Sequence, residues 1–377
     1  MKLVYLDNSA TTKPCNEAIS AINNCLSDSW GNPSSTYSLG VDAAIILDSS
    51  RKTVADFIGA KESEVYFTSG GTEANNIAIL GAAYQNRHKG NKIVASAIEH
   101  PSVLEPLKQL AQKGFEVVLI SPDENGNIRE EDLKEEIDEK TILVSLMLVN
   151  NEVGTVLPVQ KAAQIIKEKG SPALLHCDAV QAFGKLPIKV SALGVDLLSA
   201  SGHKIHASKG VGFLYKSASF HIPPIVFGGG QETGLRSGTE CVPLIAGFAA
   251  AVKALDIKKT EKSLTELSLY ARKRLSEFDF ISFNSPENCL PYILNISVNG
   301  YKSEPMLNAL AARNIFVSKG SACAKGHRSH VLSSMGFDNN RIDSALRISF
   351  SRDNTFEDID ILTDAIKEIT QKMRRFK

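Results

Sequence analysis

The run Leu197-Leu-Ser-Ala-Ser-Gly-His-Lys204 sets an amine just beyond an apolar segment, 196–200, that reads as a strand broken at Ser201-Gly202. Upstream, Ala173-Leu-Leu-His-Cys-Asp178 reads as a second buried strand ending on a carboxylate, with Gln181 three residues on. In open α/β sheets ligands bind outside the carboxyl ends of the strands. A lysine facing an aspartate across a cavity there suits pyridoxal phosphate, the lysine forming the Schiff base and the acid partnering the pyridinium nitrogen. Taken alone, Lys204 also reads as an ordinary solvated lysine, since lysines are seldom buried.

Other groups fall at the same kind of place. Thr68-Ser-Gly-Gly-Thr-Glu-Ala-Asn-Asn76 follows a strand and opens a helix. Its glycines, Gly71 among them, let the backbone approach a phosphate, and the free amides and dipole of the helix start hold the anion. Thr72 can add a hydroxyl. A tight turn without a ligand is the other reading of this segment. Neither Gly-x-x-x-x-Gly-Lys-Ser/Thr nor Gly-x-Gly-x-x-Gly occurs, so nucleotide triphosphates and dinucleotides are weak candidates. His100, in Ala97-Ile-Glu-His-Pro101, could stack on an aromatic cofactor and relay a proton near neutral pH. A lone surface histidine fits that segment equally. Asn150-Asn151-Glu152 sets side-chain amides after a further strand. A parallel sheet gathers such points on one edge, and a single site explains them more simply than six coincidences.

Two more residues lie far downstream. Val317-Ser-Lys-Gly-Ser-Ala-Cys323 opens a polar loop in which Lys319, Lys325, His327 and Arg328 surround one thiol. Neighbouring positive charge favours the thiolate, the nucleophilic form, although a packing cysteine is the alternative. The other five cysteines, at 15, 25, 177, 241 and 289, read as packing residues, and no Cys-x-x-Cys pair suggests zinc or a disulfide framework. Arg347 is a cation in an apolar segment that reads as a buried strand. It needs an anion, either a substrate carboxylate held bidentately or a structural salt bridge.

These residues require elements to position them. Strand-like runs at 64–67, 92–96, 116–120 and 142–149 alternate with helical patterns at 73–84, 102–113, 129–139 and 160–169. Such alternation means βαβ units and a mainly parallel sheet. A helix at 41–58 should cap on Gly59, and residues 1–40 read as ordered loops around one short helix, 17–26. A helical stretch from 242 to about 278, interrupted near 257–260, leads to strands at 280–283, 292–298, 315–317 and 346–350 and helices at 304–313 and 355–374. At 377 residues two domains are expected: 14–255 as the large one, and 1–13 with 256–377 as a small α+β one. Forty-two Lys+Arg balance 42 Asp+Glu, so nothing asks for nucleic acid or an anionic membrane. No apolar run reaches membrane-spanning length, and the amino terminus turns polar too early for a signal peptide, so a cytoplasmic location is expected.

The motifs together resemble the cysteine desulfurases of the NifS/IscS type, in the class V group of aminotransferase-like pyridoxal phosphate enzymes. The resemblance runs nearly end to end: Tyr5-Leu-Asp-Asn-Ser-Ala-Thr-Thr, Gly31-Asn-Pro-Ser-Ser, the 68–76 loop, Glu99-His, Asn150-Asn-Glu-Val-Gly, His176-Cys-Asp-Ala-Val-Gln, Ser201-Gly-His-Lys, Arg236-Ser-Gly-Thr-Glu and Gly320-Ser-Ala-Cys. It implies fold type I: a large domain with a mostly parallel seven-stranded sheet sandwiched by helices, plus the small α+β domain. It implies a homodimer in which Thr239 reaches the phosphate of the partner subunit's cofactor. Lys204 would bind the cofactor covalently, Asp178 and Gln181 would hold its ring, and His100 would stack and transfer protons. Gly71, Thr72, Ser201 and His203 would hold the phosphate, Asn151 would lie near substrate and ring hydroxyl, Arg347 would take the substrate carboxylate, and Cys323 would accept sulfur.

The implied reaction takes L-cysteine to L-alanine and leaves a persulfide on Cys323 for an acceptor protein, an iron–sulfur scaffold or a tRNA-thiolation enzyme. Tyr37 stands where the family usually has histidine; the segment after Cys323 is shorter than in the housekeeping enzymes, and the sequence ends without their longer tail. The last two differences leave the acceptor open. Alternatives are a selenocysteine lyase, another class V aminotransferase, or a non-catalytic scaffold for a sulfur carrier.

Overall fold

The computed structural model describes residues 2–320 and 328–376, so the expected sulfur acceptor Cys323 lies outside the described residues. The described strands are β1 (Val4–Tyr5), β2 (Val65–Thr68), β3 (Lys92–Ser96), β4 (Glu116–Ile120), β5 (Thr141–Met147), β6 (Leu174–Asp178), β7 (Leu197–Ser201), β8 (Gly212–Lys216), β9 (Ile281–Phe283), β10 (Ile293–Val298), β11 (Ile315–Phe316) and β12 (Ala345–Ser349). Seven of them form the central sheet in the order β2-β8-β7-β6-β5-β3-β4. The β3–β4, β3–β5, β5–β6 and β6–β7 pairs are parallel, whereas β8 runs antiparallel to both neighbours, β7 and β2. All strands but β8 therefore end on the same edge.

Period-two alternation divides the strand residues between two cores. Val94, Val144, Leu146, Leu175, Cys177 and Leu198 face one, with Ile205 and Phe248. Ile93, Ala95, Leu143 and Leu197 face the other, packed against Ala74, Ile77 and Ala78 of the helix Gly71–Asn86. Strands apolar on both faces are what a sheet covered by helices demands. On the first face Phe183 meets Phe57 and Phe213 edge-on, each at 5.1 Å between ring centroids. Such pairs add about 0.5–1.5 kcal/mol beyond their buried area.

The rest of the chain adds a three-stranded antiparallel sheet, β12-β10-β9, and a parallel pair, β1–β11, in which Val4 meets Ile315. The expected loops before residue 40 thus contain a strand too short to show periodicity, and it pairs with a segment some three hundred residues away. The helix Ser38–Ile58 ends as expected on Gly59 at φ 70°. The helix expected over 129–139 is shorter, Glu130–Glu136. The interruption expected at 257–260 falls earlier: Val242–Lys253 is one helix and Ile257–Leu275 the next, started by the Asp256 side chain accepting from Lys259 N. No described helix is long and apolar enough to cross a membrane.

Candidate active site

A cavity of about 250 Å³ opens at the carboxyl edge of the sheet. Gly71, Thr72, His100, Asn151, Asp178, Gln181, Ser201, His203, Lys204 and Arg347 line it, contributed by six separate turns and strands, together with Ser9, Ala10 and Ser102. Among the described residues, every expected site residue except Thr239 is brought together. Thr239 is exposed and outside the cavity.

The floor is set by close packing. A Cβ on Gly71 would sit 2.5 Å from Val180 Cγ2, so only glycine lets the helix start lie against the 178–181 turn. A Cβ on Gly202 would meet Val211, Phe248 and Ala207 at 3.0–3.2 Å, which seats the Ser201–Lys204 turn directly on the aromatic core. Thr12 N and Thr12 Oγ1 both donate to His203 O at 2.9 Å, so the amino-terminal loop holds that turn from the outside. Lys204 Nζ donates to Ser9 O at 2.6 Å and Ala10 O at 2.8 Å.

Asp178 ends β6 on the face covered by the helix Gly71–Asn86. Asn75 Nδ2 donates to its Oδ2 at 2.8 Å and Val180 N to its Oδ1 at 2.9 Å, fixing the carboxylate with both oxygens engaged. Across the cavity His100 caps the helix Pro101–Gln112, its Nδ1 accepting from Ser102 N at 3.1 Å. A ring nitrogen that accepts from a backbone amide carries no proton, so neutral His100 is the Nε2–H tautomer. Burial drives His100 toward that neutral form, helped by the positive charge of Lys204 and His330 and opposed by Asp178. His203 is likewise pushed down to about 4, by burial and then by Lys204, Lys209 and Lys185.

Arg347 forms the structural salt bridge, one of the two expectations for it. It is 2% exposed on β12. Its guanidinium donates to Asn151 O at 2.9 Å and to Asp7 Oδ1 at 2.8 Å, a structural ion pair, while Nε has no partner among the described residues. A fork already half used inside the protein still faces the cavity that it lines.

Several members carried no readable signal. Asn75 stands one helical turn after Gly71, a spacing that puts both on one face, yet only the fold shows that the face meets Asp178. Ser102 links Asn75 to His100 through its hydroxyl, at 2.8 Å to each. Glu99, between them in sequence, is buried and raised to about 8 by desolvation, with Ser96 Oγ and Met147 N donating to one oxygen. Of the cysteines expected to pack, Cys15, Cys25 and Cys177 are buried and Cys289 is half-buried, but Cys241 is exposed. It precedes the first turn of the helix Val242–Lys253, where a cap position needs no burial.

The sheet, the cavity at its carboxyl edge and the lysine and aspartate that line it together define a class of fold and site that comparison with known proteins makes specific. The profile of the family "Aminotransferase class-V" matches residues 4–362. The chain belongs to the class-V aminotransferase family. It is 40% identical over 378 residues to "Cysteine desulfurase IscS" of Methanosarcina thermophila, covering 99% of this chain and 93% of the relative. Among solved structures, a "NIFS-LIKE PROTEIN" superposes with a TM-score of 0.94 at 35% identity, covering 99% of this chain and all of the other. Another, "SspA in complex with cysteine", has a TM-score of 0.83 at 33% identity, covering 92% of this chain and 98% of that one.

Proposed function

We propose that this chain is a cysteine desulfurase that uses pyridoxal phosphate to convert L-cysteine to L-alanine, with Cys323 taking the sulfur. The observation that carries the reading is the meeting of Lys204, Asp178, Gln181 and His100 around one cavity, in a chain 40% identical to a protein named for that activity. The residues fit the cofactor. The glycine-floored helix start beside Ser201 and His203 suits a phosphate, and the fixed Asp178 carboxylate suits a pyridine nitrogen. When bound, pyridoxal phosphate supplies an aldehyde for amines and a ring that draws electrons from the substrate Cα.

The protein's own groups do the rest. Lys204 would hold the cofactor through Nζ and, once freed by the substrate amine, would take the Cα proton on that atom. His100, neutral and with its proton on Nε2, would lie against the cofactor ring and exchange protons with the substrate. Gln181 and Asn151 hold the ring oxygen and the substrate, and Arg347 directs its open guanidinium edge to the carboxylate. The Cys323 thiolate attacks the substrate sulfur: the carbon–sulfur bond breaks, a sulfur–sulfur bond forms, and protonation of the remaining carbon skeleton gives alanine.

The same reading divides the chain at 14–255 against 1–13 with 256–377, supported by the seven-stranded sheet falling wholly within 65–216. It pairs two copies so that Thr239 reaches the partner subunit's phosphate site. Support for that comes from Trp30 and Phe227, 66% and 82% exposed. A cytoplasmic location accords with free thiols at all five described cysteines. The acceptor is a protein, scaffold or tRNA-thiolating.

The deciding assay incubates the holoenzyme with L-cysteine and a reductant and scores alanine and sulfide in equal amounts. Cys323→Ala should keep the visible cofactor band and lose sulfide release; release at the wild-type rate rejects the thiol's role. Retained cleavage of selenocysteine by that variant would favour a selenocysteine lyase.

A further inference from the structure

One buried amine adjoins the cavity without an expected role. Lys185 lies one turn after Gln181, is 5% exposed, and its Nζ donates to Gln181 Oε1 at 2.7 Å. The opposite side of that amide is settled too: Gln181 Nε2 donates to Ser9 O at 2.9 Å, the same carbonyl that accepts from Lys204 Nζ. The Ser9 carbonyl only accepts, which fixes the amide NH2 on that side and turns Oε1 to Lys185 Nζ, a donor whether protonated or neutral. The second N–H of the amide is then left for whatever occupies the cavity that Gln181 lines.

We propose that Lys185 is a positioning residue that holds Gln181 as a hydrogen-bond donor toward the cofactor. This rests on the cofactor reading above. Without Lys185, Gln181 Oε1 is a buried acceptor with no donor, and the side chain leaves this rotamer to find one. Burial pushes the Lys185 amine down to about 7, with Lys204 and Arg347 adding repulsion. Its other titratable neighbours are His203 and His206, whose imidazoles it pushes down, and the Tyr292 ring, 5.6 Å from Nζ.

The test is the pH midpoint of the visible absorbance of the pyridoxal phosphate holoenzyme. A donor to the ring oxygen favours its ionised form, so losing the donor raises the midpoint. Lys185→Met should raise it by about one pH unit, tenfold in proton concentration. Lys185→Gln keeps a donor without the charge and should stay within about twofold of wild type. An unchanged midpoint in Lys185→Met overturns the proposal. So does a tenfold shift in Lys185→Gln, because charge alone would then be responsible; that variant decides the matter if Lys185→Met does not fold. Wild-type protein that develops no visible band with pyridoxal phosphate overturns the cofactor reading itself and this inference with it. A wild-type band with an unshifted Lys185→Met rejects this inference only.

Discussion

Asn75 Nδ2 donates one hydrogen to Asp178 Oδ2 and the other to Ser102 Oγ, both at 2.8 Å. Ser102 in turn donates to His100 Nδ1 at 2.8 Å, because that nitrogen already accepts from Ser102 N. One buried amide therefore orients both the carboxylate and, through Ser102, the imidazole that line the cavity. Asn75 is wholly buried and its Oδ1 has no partner among the described residues, so the side chain is held there by its donors.

Asn75→Leu should accordingly disturb both walls of the cavity at once. Hydrogen bonds to charged groups contribute about 1.5–3 kcal/mol, which corresponds to a fall of roughly ten- to a hundredfold in kcat/KM for alanine formation. Steady-state kinetics on cofactor-loaded variant checks this. A rate within twofold of wild type would show that Asp178 and His100 hold their places without it.

Gly71→Ala sets a methyl 2.5 Å from Val180 Cγ2. Overpacking of this kind costs about 1–3 kcal/mol and moves the helix start away from the cavity floor. The variant should melt earlier and retain pyridoxal phosphate less well in dialysis. Adding Val180→Ala makes room for the methyl and should recover both. If the double variant is no better than the single one, the steric account fails.

Arg347→Lys keeps the charge but loses the planar fork that reaches Asn151 O and Asp7 together. KM for L-cysteine should rise by about ten- to a hundredfold, the cost of one bidentate charge-assisted contact. The visible cofactor band should be unaltered. An unchanged KM would leave Arg347 with its structural ion pair alone.

His176 is buried under Asp178, between Ser145 Oγ at 2.8 Å and Ser199 Oγ at 3.1 Å. Burial pushes its imidazole down to about 3, from an ordinary value of 6.5. Between those values the unfolded chain binds a proton there and the folded chain does not. Stability therefore declines as pH falls from 6.5 toward about 3. Melting curves over this window should slope less steeply for His176→Gln, which cannot titrate. Parallel curves for the two proteins would reject the assignment.

Much of this was legible in the chain itself. Apolar runs near five residues long, glycine at strand–helix junctions and helices of ten or more residues set up βαβ units, and with them a single edge where chemistry collects. Hence Gly71, His100, Asn151, Asp178, Gln181 and Lys204 could be named from strand ends alone, because position along a parallel strand implies position in space. Short contacts had no such code. β1 is two residues long, and its pairing with β11, some three hundred residues on, follows from the packing of segments distant in the chain.

What the sequence determined was local: which segments bury both faces, where they stop, and which reactive groups follow the stop. The tertiary structure alone decided what touches those groups. Asn75 reaching Asp178, Ser9 O lying between Gln181 and Lys204, and Asp7 pairing with Arg347 across 340 residues of chain are contacts of this kind. Hydrogen bonds form between atoms within about 3 Å whatever their separation in the chain. Periodicity reports the face on which a residue lies, whereas the partner on that face is set by the packing of elements far apart in sequence.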